Sequence, residues 1–230
     1  QNKKIMSNNL LAGKRGIIFG ALNENSIAWK VAQQAVKQGA KITLTNAPIA
    51  LRMGEMNKLA AECNAEIIAA DVTSMDDLKN LFEKSMEILG GKIDFVLHSV
   101  GMSINVRKGI HYTESNYDNM HKGFDISAMS LHRVLQTAYK MDAITEWGSV
   151  LTLSYIAAQR VFPDYNDMAD AKALLESITR SFGYHYGKFR KVRAIQRDVY
   201  GSLNSLELVN YLDKYAETGK EYTKILKIII

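Results

Sequence analysis

Cysteine, proline and long apolar runs are all scarce in this chain of 230 residues. Cys63 is its only cysteine, so no disulfide can form within the chain, and a reducing compartment is favoured. Pro48 and Pro163 are the only prolines, and no run of glycine and serine marks a linker. No apolar run approaches the roughly 18 residues of a membrane-spanning helix, and the N-terminus lacks the apolar core of a secretory signal. These absences predict a cytoplasmic protein with no membrane partner.

The composition is that of a soluble globular protein, with 47% hydrophobic and 23% charged residues. The net charge is +5, and most basic residues alternate with acidic ones. One small basic cluster consists of Lys188, Arg190, Lys191 and Arg193. It is too small for a nucleic-acid interface and is typical of a solvated helix end, so we expect no nucleic-acid partner. Cys63 has no histidine near it in sequence, which favours a half-buried residue at a helix end over a nucleophile.

Short apolar strands alternate with amphipathic helices along the chain. The predicted strands are residues 16–20, 41–47, 65–72, 93–101 and 148–154. The predicted helices are residues 27–40, 52–64, 75–91 and 115–140, followed by a helix that contains Lys172. Strands that alternate with crossover helices form a parallel sheet. We therefore predict an α/β fold: a Rossmann-like, doubly wound parallel sheet with helices on both faces, in a single domain over residues 1–230.

A sheet of this kind binds ligands at the carboxyl ends of its strands. The residues at those ends, each followed by a loop, are Gly20, Asn46, Asp71, the run Ser99, Val100 and Gly101, and the pair Ser154 and Tyr155. His98, which precedes this run, is interpreted as structural. The sequence predicts the functional site at this edge, and no pattern suggests a metal site.

The first loop lacks the G-x-G-x-x-G motif of ordinary dinucleotide folds, because the spacing of Gly13, Gly16 and Gly20 does not match it. Ser26 comes just before the first helix. Its hydroxyl is able either to cap that helix or to bond a pyrophosphate oxygen. At the end of the second strand, Asn46 is neither the acid typical of NAD sites nor the arginine typical of NADP sites, although Arg52 lies close by. The residues leave both cofactors open.

Two tyrosines and a lysine lie among small residues in SYIAAQRVFPDYNDMADAKALLES, which begins at residue 154. Asp164 is the expected N-cap of a helix there. Tyr165 and Lys172 are seven residues apart, so in a helix they lie two turns apart on nearly one face, with the lysine leaning back toward the tyrosine. They fit either surface residues of an amphipathic helix or a site that holds a ligand between them. Tyr155 fits either a site residue or a core residue.

A second polar pair lies within the predicted helix 115–140. Asp125 and Ser127 fit either a role in orienting water or the end of a cofactor, or a solvent-facing pair.

Several segments together resemble the bacterial enoyl-acyl carrier protein reductases, a divergent branch of the short-chain dehydrogenase/reductases. They are GALNENSIAWKVAQQAVKQGA, ADVTSMDDL, KIDFVLHSVGMS, FDISAMSLHRV and the tyrosine-containing stretch. Two motifs are specific to that branch: G-x5-S-I-A over 20–28, and Y-x9-Y-x6-K formed by Tyr155, Tyr165 and Lys172. The resemblance covers residues 10–193. The sequence is most similar to the enzymes of this family in Bacteroidetes-type bacteria.

The resemblance implies reduction of the trans-2 double bond of an enoyl thioester, carried on acyl carrier protein, in fatty-acid biosynthesis. It implies NADH as the cofactor, with NADPH not excluded, and a homotetramer formed through helices such as 115–140 and 168–187. Tyr155, Tyr165 and Lys172 match the catalytic residues, and the two tyrosines also match substrate contacts, as does Ser103. The matched cofactor residues are Gly20, Ser26, Ile27, Asp71, Val72, Ser99, Val100, Gly101 and Lys172.

The last part of the chain, residues 194–230, departs from the family. It lacks the proline turn and the helical lid over the acyl chain that follow in the family after Arg193, and it lacks the family's closing D-G-G stretch. It predicts one helix over residues 206–216 and one strand over 222–230. Two alternatives stay open for this reason. One is a degenerate nucleotide-binding relative without turnover, and the other is a short-chain reductase for another carbonyl or enone substrate.

Overall fold

The computed structural model describes residues 9–53 and 55–186. Five strands are present: β1 (Arg15–Phe19), β2 (Lys41–Asn46), β3 (Glu66–Ala69), β4 (Ile93–His98) and β5 (Ile144–Thr152). The α-helices are α1 (Ile27–Lys37), α2 (Pro48–Met53), α3 (Met56–Cys63), α4 (Met75–Leu89), α5 (Ile104–Arg107), α6 (Tyr117–Phe124), α7 (Ser130–Lys140) and α8 (Asn166–Tyr184). Short 3-10 turns occur at Tyr112–Glu114 and Ile156–Ala158, and a π-helical segment, Asp125–Met129, joins α6 to α7.

All five strands form one parallel sheet in the order β3-β2-β1-β4-β5. β1 lies at the centre, where Ile17 is paired with Thr43 of β2 and with Val96 of β4. The order runs outward from β1 in both directions, which is the doubly wound arrangement. The predicted Rossmann-like α/β fold is therefore confirmed, and the described sheet and its helices form one domain.

The sheet is covered on both faces because alternate residues of a strand point in opposite directions. On β1, Ile17 and Phe19 belong to a core with the apolar sides of α4 and α7. Ile18 points the other way, into a core with α1 and α3, where Trp29 is fully buried. Cys63, the last residue of α3, is buried in this second core, and burial raises the pKa of its thiol. Cys63 is thus a packing residue.

Contacts divide the chain into two compact units, Gln1–Ile178 and Thr179–Ile230. The first unit contains the sheet and every residue with a predicted site role. Of the second unit, the structure describes the end of α8 and the residues up to 186. The predicted segment 194–230, its helix 206–216, its strand 222–230 and the basic cluster at 188–193 lie outside the described residues. The single domain over residues 1–230 therefore stays a prediction.

Several predicted elements differ from the structure, and β3 and β4 each end three residues before the predicted ends at 72 and 101. The helix predicted over 52–64 is two helices, α2 and α3. The long helix predicted over 115–140 begins at Tyr117 and contains the π-helical segment, where Ser130 Oγ donates to the Ile126 carbonyl (2.6 Å). β5 begins at Ile144, four residues before the predicted start, because its first residues include the exposed Glu146 and Trp147 and so form no apolar run. Among the described residues, no helix is both long and apolar enough to cross a membrane.

His98, at the end of β4, links three elements in the core. Ser130 donates its only hydroxyl proton to Ile126, so His98 Nε2–H must donate to Ser130 Oγ (2.9 Å). Nδ1 is then an acceptor and lies 3.2 Å from Thr152 Oγ1 of β5, a hydroxyl that also lies within donating distance of the His98 carbonyl (3.3 Å). Burial, with a smaller effect of the Lys172 charge, lowers the pKa of His98 from 6.5 to about 3. The imidazole is therefore neutral and structural, as the sequence predicts.

Gly20 and Gly90 have similar φ angles but different surroundings. Gly20 (φ +82°) and Gly90 (φ +76°) both lie in the left-handed region, but a Cβ on Gly20 would come within 1.9 Å of the Ser99 carbonyl oxygen, whereas one on Gly90 would meet nothing within 4 Å. Gly90→Ala should lose about 1–2 kcal/mol of unfolding free energy. Gly20→Ala should lose about 1–3 kcal/mol more. Urea unfolding measures both, and equal losses would contradict the close approach.

The stability of the protein should depend on pH through His98. The folded pKa of His98 is below its unfolded value of 6.5, so the unfolded state takes up the proton first as pH falls. The contribution of neutral His98 to stability is complete above pH 6.5 and is lost as pH falls toward about 3. Between these values, wild type should lose up to about 1.4 kcal/mol per pH unit from this group. His98→Gln should show a shallower slope, while the exposed control His121→Gln should keep the wild-type slope.

Candidate active site

The ends of β1 and β4 meet at the carboxyl edge of the sheet. The Gly20 amide donates to the Thr45 carbonyl (3.1 Å), and a Cβ on Gly20 would overlap the Ser99 carbonyl oxygen at 1.9 Å. Only glycine allows the two strand ends to approach this closely in the left-handed conformation that Gly20 adopts. Gly20 and the Ser99–Gly101 run are thus brought together, as the strand pattern predicts.

The loop after β1 leads into a helix whose N-terminal donors are not capped by a side chain. Ser26 is the N-cap residue of α1, but its hydroxyl donates to the Asn23 carbonyl (2.6 Å) and accepts no cap bond. The Ser26 side chain therefore does not cap α1, although the sequence allowed that role. The first turn of α1 has no acidic residue. Its N–H groups and partial positive charge suit an anionic group such as a pyrophosphate. The neighbouring Ile27 side chain is exposed.

The loop after β3 is organised by Asp71. Its Oδ1 accepts hydrogen bonds from the Thr73 amide (2.8 Å) and the Thr73 hydroxyl (2.7 Å). The Asp71 amide donates to Asp77 Oδ2 (2.9 Å) of α4. Val72 is buried in the core beneath α4. These bonds fix the shape of the loop, while the predicted adenine contact of Asp71 and Val72 stays a prediction.

Lys172 is a buried cation on α8. Its Nζ donates to the Leu153 carbonyl, just after β5, at 2.7 Å. No acidic side chain of the described residues forms an ion pair with it. Burial lowers the pKa of Lys172. A Cβ on Gly101 would lie 3.8 Å from Nζ, so the ammonium is beside the β4 strand end. The structure thus brings Lys172 and Gly101 together, with two of the three ammonium protons left for other acceptors.

The two tyrosines of the motif pack against each other with their rings tilted by 53°. The ring centroids of Tyr155 and Tyr165 are 4.8 Å apart, and Phe162 packs on Tyr155 at 5.1 Å. Burial, and to a lesser degree the neighbouring Tyr155, raises the pKa of Tyr165. Among the described residues, neither phenol hydroxyl has a hydrogen-bond partner. Both hydroxyls are therefore available as donors to a ligand.

Tyr165 does not lie on the helix that carries Lys172. The prediction that Asp164 is the N-cap is wrong, because α8 begins at Asn166 and Asp164 has a left-handed backbone with φ +43°. An N-cap residue normally has an extended backbone. The tyrosine is thus in the turn before the helix, stacked on Tyr155, and Lys172 points to Leu153.

Three further polar residues from the sequence analysis have structural partners. Ser103 is buried, and its hydroxyl donates to Asp167 Oδ1 (2.6 Å) and accepts from the Val106 amide (3.0 Å). Ser127 is buried and bonds both the amide and the carbonyl of Met102, so it does not face solvent. Asp125 pairs with Arg133. The substrate contact predicted for Ser103 stays a prediction.

A buried polar network around the start of α8 was missed by the sequence analysis. Asp167 accepts from Ser103 and from Asn105 Nδ2 (2.9 Å), and Asn166 is bonded to the segment 110–115. Its sequence signal is the unusual density of Ser, Asn and Asp in two separate segments, SINVRKGIHYTESN and DYND.

Comparison with known proteins identifies curated relatives. An enoyl-[acyl-carrier-protein] reductase [NADH] 2 from Rhizobium meliloti is 36% identical over 185 residues, which cover 78% of this chain and 66% of the relative. An enoyl-[acyl-carrier-protein] reductase [NADH] FabI from Rickettsia bellii is 34% identical over 212 residues, 87% of this chain and 79% of the relative. The chain thus spans about two thirds to four fifths of the length of these relatives.

Solved structures give the same result. The FabI–NADH complex from Alistipes finegoldii is 61% identical with a TM-score of 0.77, and the match covers 78% of this chain but only 64% of that one. The Aquifex aeolicus enoyl-[acyl-carrier-protein] reductase (NADH) is 30% identical, with a TM-score of 0.70, and the match covers 78% and 76% of the two chains. A model of the family described as Enoyl-(Acyl carrier protein) reductase matches residues 20–197. Because that match includes most of the 230 residues, the chain belongs to the enoyl-(acyl carrier protein) reductase family.

Proposed function

We propose that this protein is an NADH-dependent enoyl-acyl carrier protein reductase of fatty-acid biosynthesis. It reduces the trans-2 double bond of an enoyl thioester carried on acyl carrier protein. The observation that carries the proposal is the placement of two groups after β4 and β5. One is a buried ammonium beside Gly101, and the other is a pair of packed phenols whose hydroxyls have no hydrogen-bond partner among the described residues. The names of the relatives from Rhizobium and Rickettsia support NADH as the cofactor.

The residues of this edge fit a nicotinamide dinucleotide. Lys172 is 7% exposed and has one acceptor among the described residues, so its other protons suit ribose hydroxyls. Uncapped donors at the start of α1 suit the pyrophosphate. When bound, the cofactor supplies the hydride that reduces the double bond. The residues that would hold it are Gly20, Ser26, Ile27, Asp71, Val72, Ser99, Val100, Gly101 and Lys172.

The tyrosines act on the substrate side. Reduction of an enoyl thioester at its β-carbon leaves negative charge on the thioester oxygen, and a donor aimed at that oxygen stabilises the transition state by about 3–4 kcal/mol. A raised pKa keeps Tyr165 protonated and neutral, as a donor must be. Tyr165 is the donor in this proposal. Tyr155 packs against Tyr165 and offers a second hydroxyl. Ser103 is a further substrate contact in this proposal.

The protein acts in the cytoplasm in this proposal, as a homotetramer. The helices predicted over 115–140 and 168–187 are its proposed interfaces. The experiment that tests the activity follows NADH absorbance with enoyl thioesters and, separately, with ketoacyl thioesters. Oxidation of NADH with enoyl substrates alone would support the proposal. Cofactor binding without turnover would instead identify a degenerate nucleotide-binding relative, and reduction of ketones would identify a short-chain reductase with another substrate.

Tyr165→Phe removes the proposed donor and keeps the ring that stacks on Tyr155. We expect kcat to fall about 100- to 1,000-fold, while the Kd of NADH stays near the wild-type value. Steady-state kinetics and a fluorescence titration of NADH measure the two quantities. Tyr117→Phe is the matched control, because Tyr117 is exposed and its hydroxyl forms no hydrogen bond with the described residues. A kcat for Tyr165→Phe equal to that of the control would remove Tyr165 from this role.

Lys172→Met removes the buried charge and keeps most of the volume. Loss of hydrogen bonds from a charged donor should raise the Kd of NADH about 10- to 100-fold. The free energy of unfolding should not fall, because the buried ammonium has no ion-pair partner among the described residues and pays a desolvation cost. The exposed Lys84→Met is the control for removal of one positive charge. Unchanged NADH affinity in Lys172→Met would contradict the assigned contact.

A further inference from the structure

The backbone on both sides of Tyr165 has an unfavourable conformation. Asp164 and Asn166 both have φ +43°, so the tyrosine stands between two left-handed residues that are not glycine. Such residues are rare, and two so close together persist only when the surrounding structure holds them. The question is what holds this turn, since it determines where the Tyr165 ring lies.

Asn166 is held through its side chain. It is 7% exposed, and its Nδ2 donates to the Ile110 carbonyl. Its Oδ1 accepts from Ser115 Oγ (2.8 Å) and from the Asp167 amide. Three hydrogen bonds therefore fix this side chain, and two of them come from a segment more than fifty residues earlier in the chain. Local sequence alone does not supply this restraint.

Asp167 ties the same turn to the cofactor side of the site. Its side chain is 1% exposed, and its oxygens accept from Ser103 Oγ (2.6 Å) and Asn105 Nδ2 (2.9 Å). Ser103 comes two residues after Gly101, which lies beside Lys172. No cation of the described residues pairs with this carboxylate. Its partners are neutral donors in fixed directions, which suits orientation of a segment better than neutralisation of charge.

We propose that Asn166 and Asp167 are positioning residues for the reaction. Asn166 holds the left-handed turn that sets the Tyr165 ring against Tyr155. Asp167 fixes that turn to the segment that follows Gly101. Together they set the position of the phenol donor relative to the residues beside Lys172. This inference rests on the proposed function, because it gives the two residues a role in the same reaction.

The test uses Asn166→Gly in the whole protein. Glycine accepts a positive φ without cost but has no side chain to tether, so the turn remains possible while its restraint is lost. We expect kcat with an enoyl thioester to fall about 10- to 100-fold, with the KM for NADH and the Tm close to wild type. Asn64→Gly is the matched control, because Asn64 is another left-handed asparagine (φ +46°), at the end of α3. The control should keep wild-type kcat.

A second variant removes one tether without a change in the turn. Ser115→Ala deletes the hydroxyl that donates to Asn166 Oδ1, and we expect a smaller loss of kcat, about threefold to tenfold. This variant keeps the test decisive if Asn166→Gly does not fold. A kcat within about twofold of wild type in both variants, or in Ser115→Ala when it alone folds, would overturn the inference.

A readout without turnover separates this inference from the proposed function. In protein labelled with ¹³C-tyrosine, the Tyr165 ring signal is the one absent from Tyr165→Phe. The ring of Tyr155, 4.8 Å away, shifts that signal in wild type. The signal should move in Asn166→Gly and stay in place in Asn64→Gly. If wild type reduces no enoyl thioester, the proposed function fails and this signal alone decides the positioning role. A signal that does not move in Asn166→Gly overturns that role.

Discussion

One hydrogen bond organises the candidate site: Lys172 Nζ to the Leu153 carbonyl, across from α8 to the end of β5. A buried ammonium is costly unless it is bonded, and this one has a single acceptor among the described residues. The Leu153 amide in turn donates to the His98 carbonyl at 3.3 Å, so the backbone of this one residue joins the lysine to β4. Because His98 is buried and neutral, it adds no second positive charge beside Lys172. The cation and the strand ends are therefore fixed relative to each other.

The fold was predictable from the sequence because its determinants are local. Five short apolar runs alternate with helical patterns, and parallel strands joined by right-handed crossovers leave few other arrangements. The errors have physical reasons. β5 is an edge strand of the described sheet. Its first residues include exposed side chains and form no apolar run, so the sequence pattern did not indicate where the strand begins. The π-helical segment shifts the helical pattern by one residue, and no periodicity over five residues can show that.

The site was predictable only in part. The strand-end rule selected Gly20, Gly101 and Tyr155 as candidates, and the motif spacing selected Tyr165 and Lys172. Helical geometry then placed Tyr165 on the helix, which is wrong, because Asn166 adopts a left-handed conformation held by Ile110 and Ser115. These partners are more than fifty residues away in sequence. Capping propensities favour Asp164 as an N-cap, but they do not include hydrogen bonds between residues so far apart in sequence.

The two sides of the site differ in charge for a reason that the proposed reaction requires. In the proposed reaction the cofactor side contains the buried Lys172, and burial lowers the pKa of its amine. The substrate side has neutral donors, and burial raises the pKa of Tyr165 further above neutrality. A cation placed directly at the thioester oxygen would attract water and anions in the absence of substrate. A neutral phenol in an aromatic wall stabilises the developing charge without that cost, provided that its hydroxyl is held in place. The placement of Tyr165, rather than its acidity, is therefore the property that the surrounding residues have to secure.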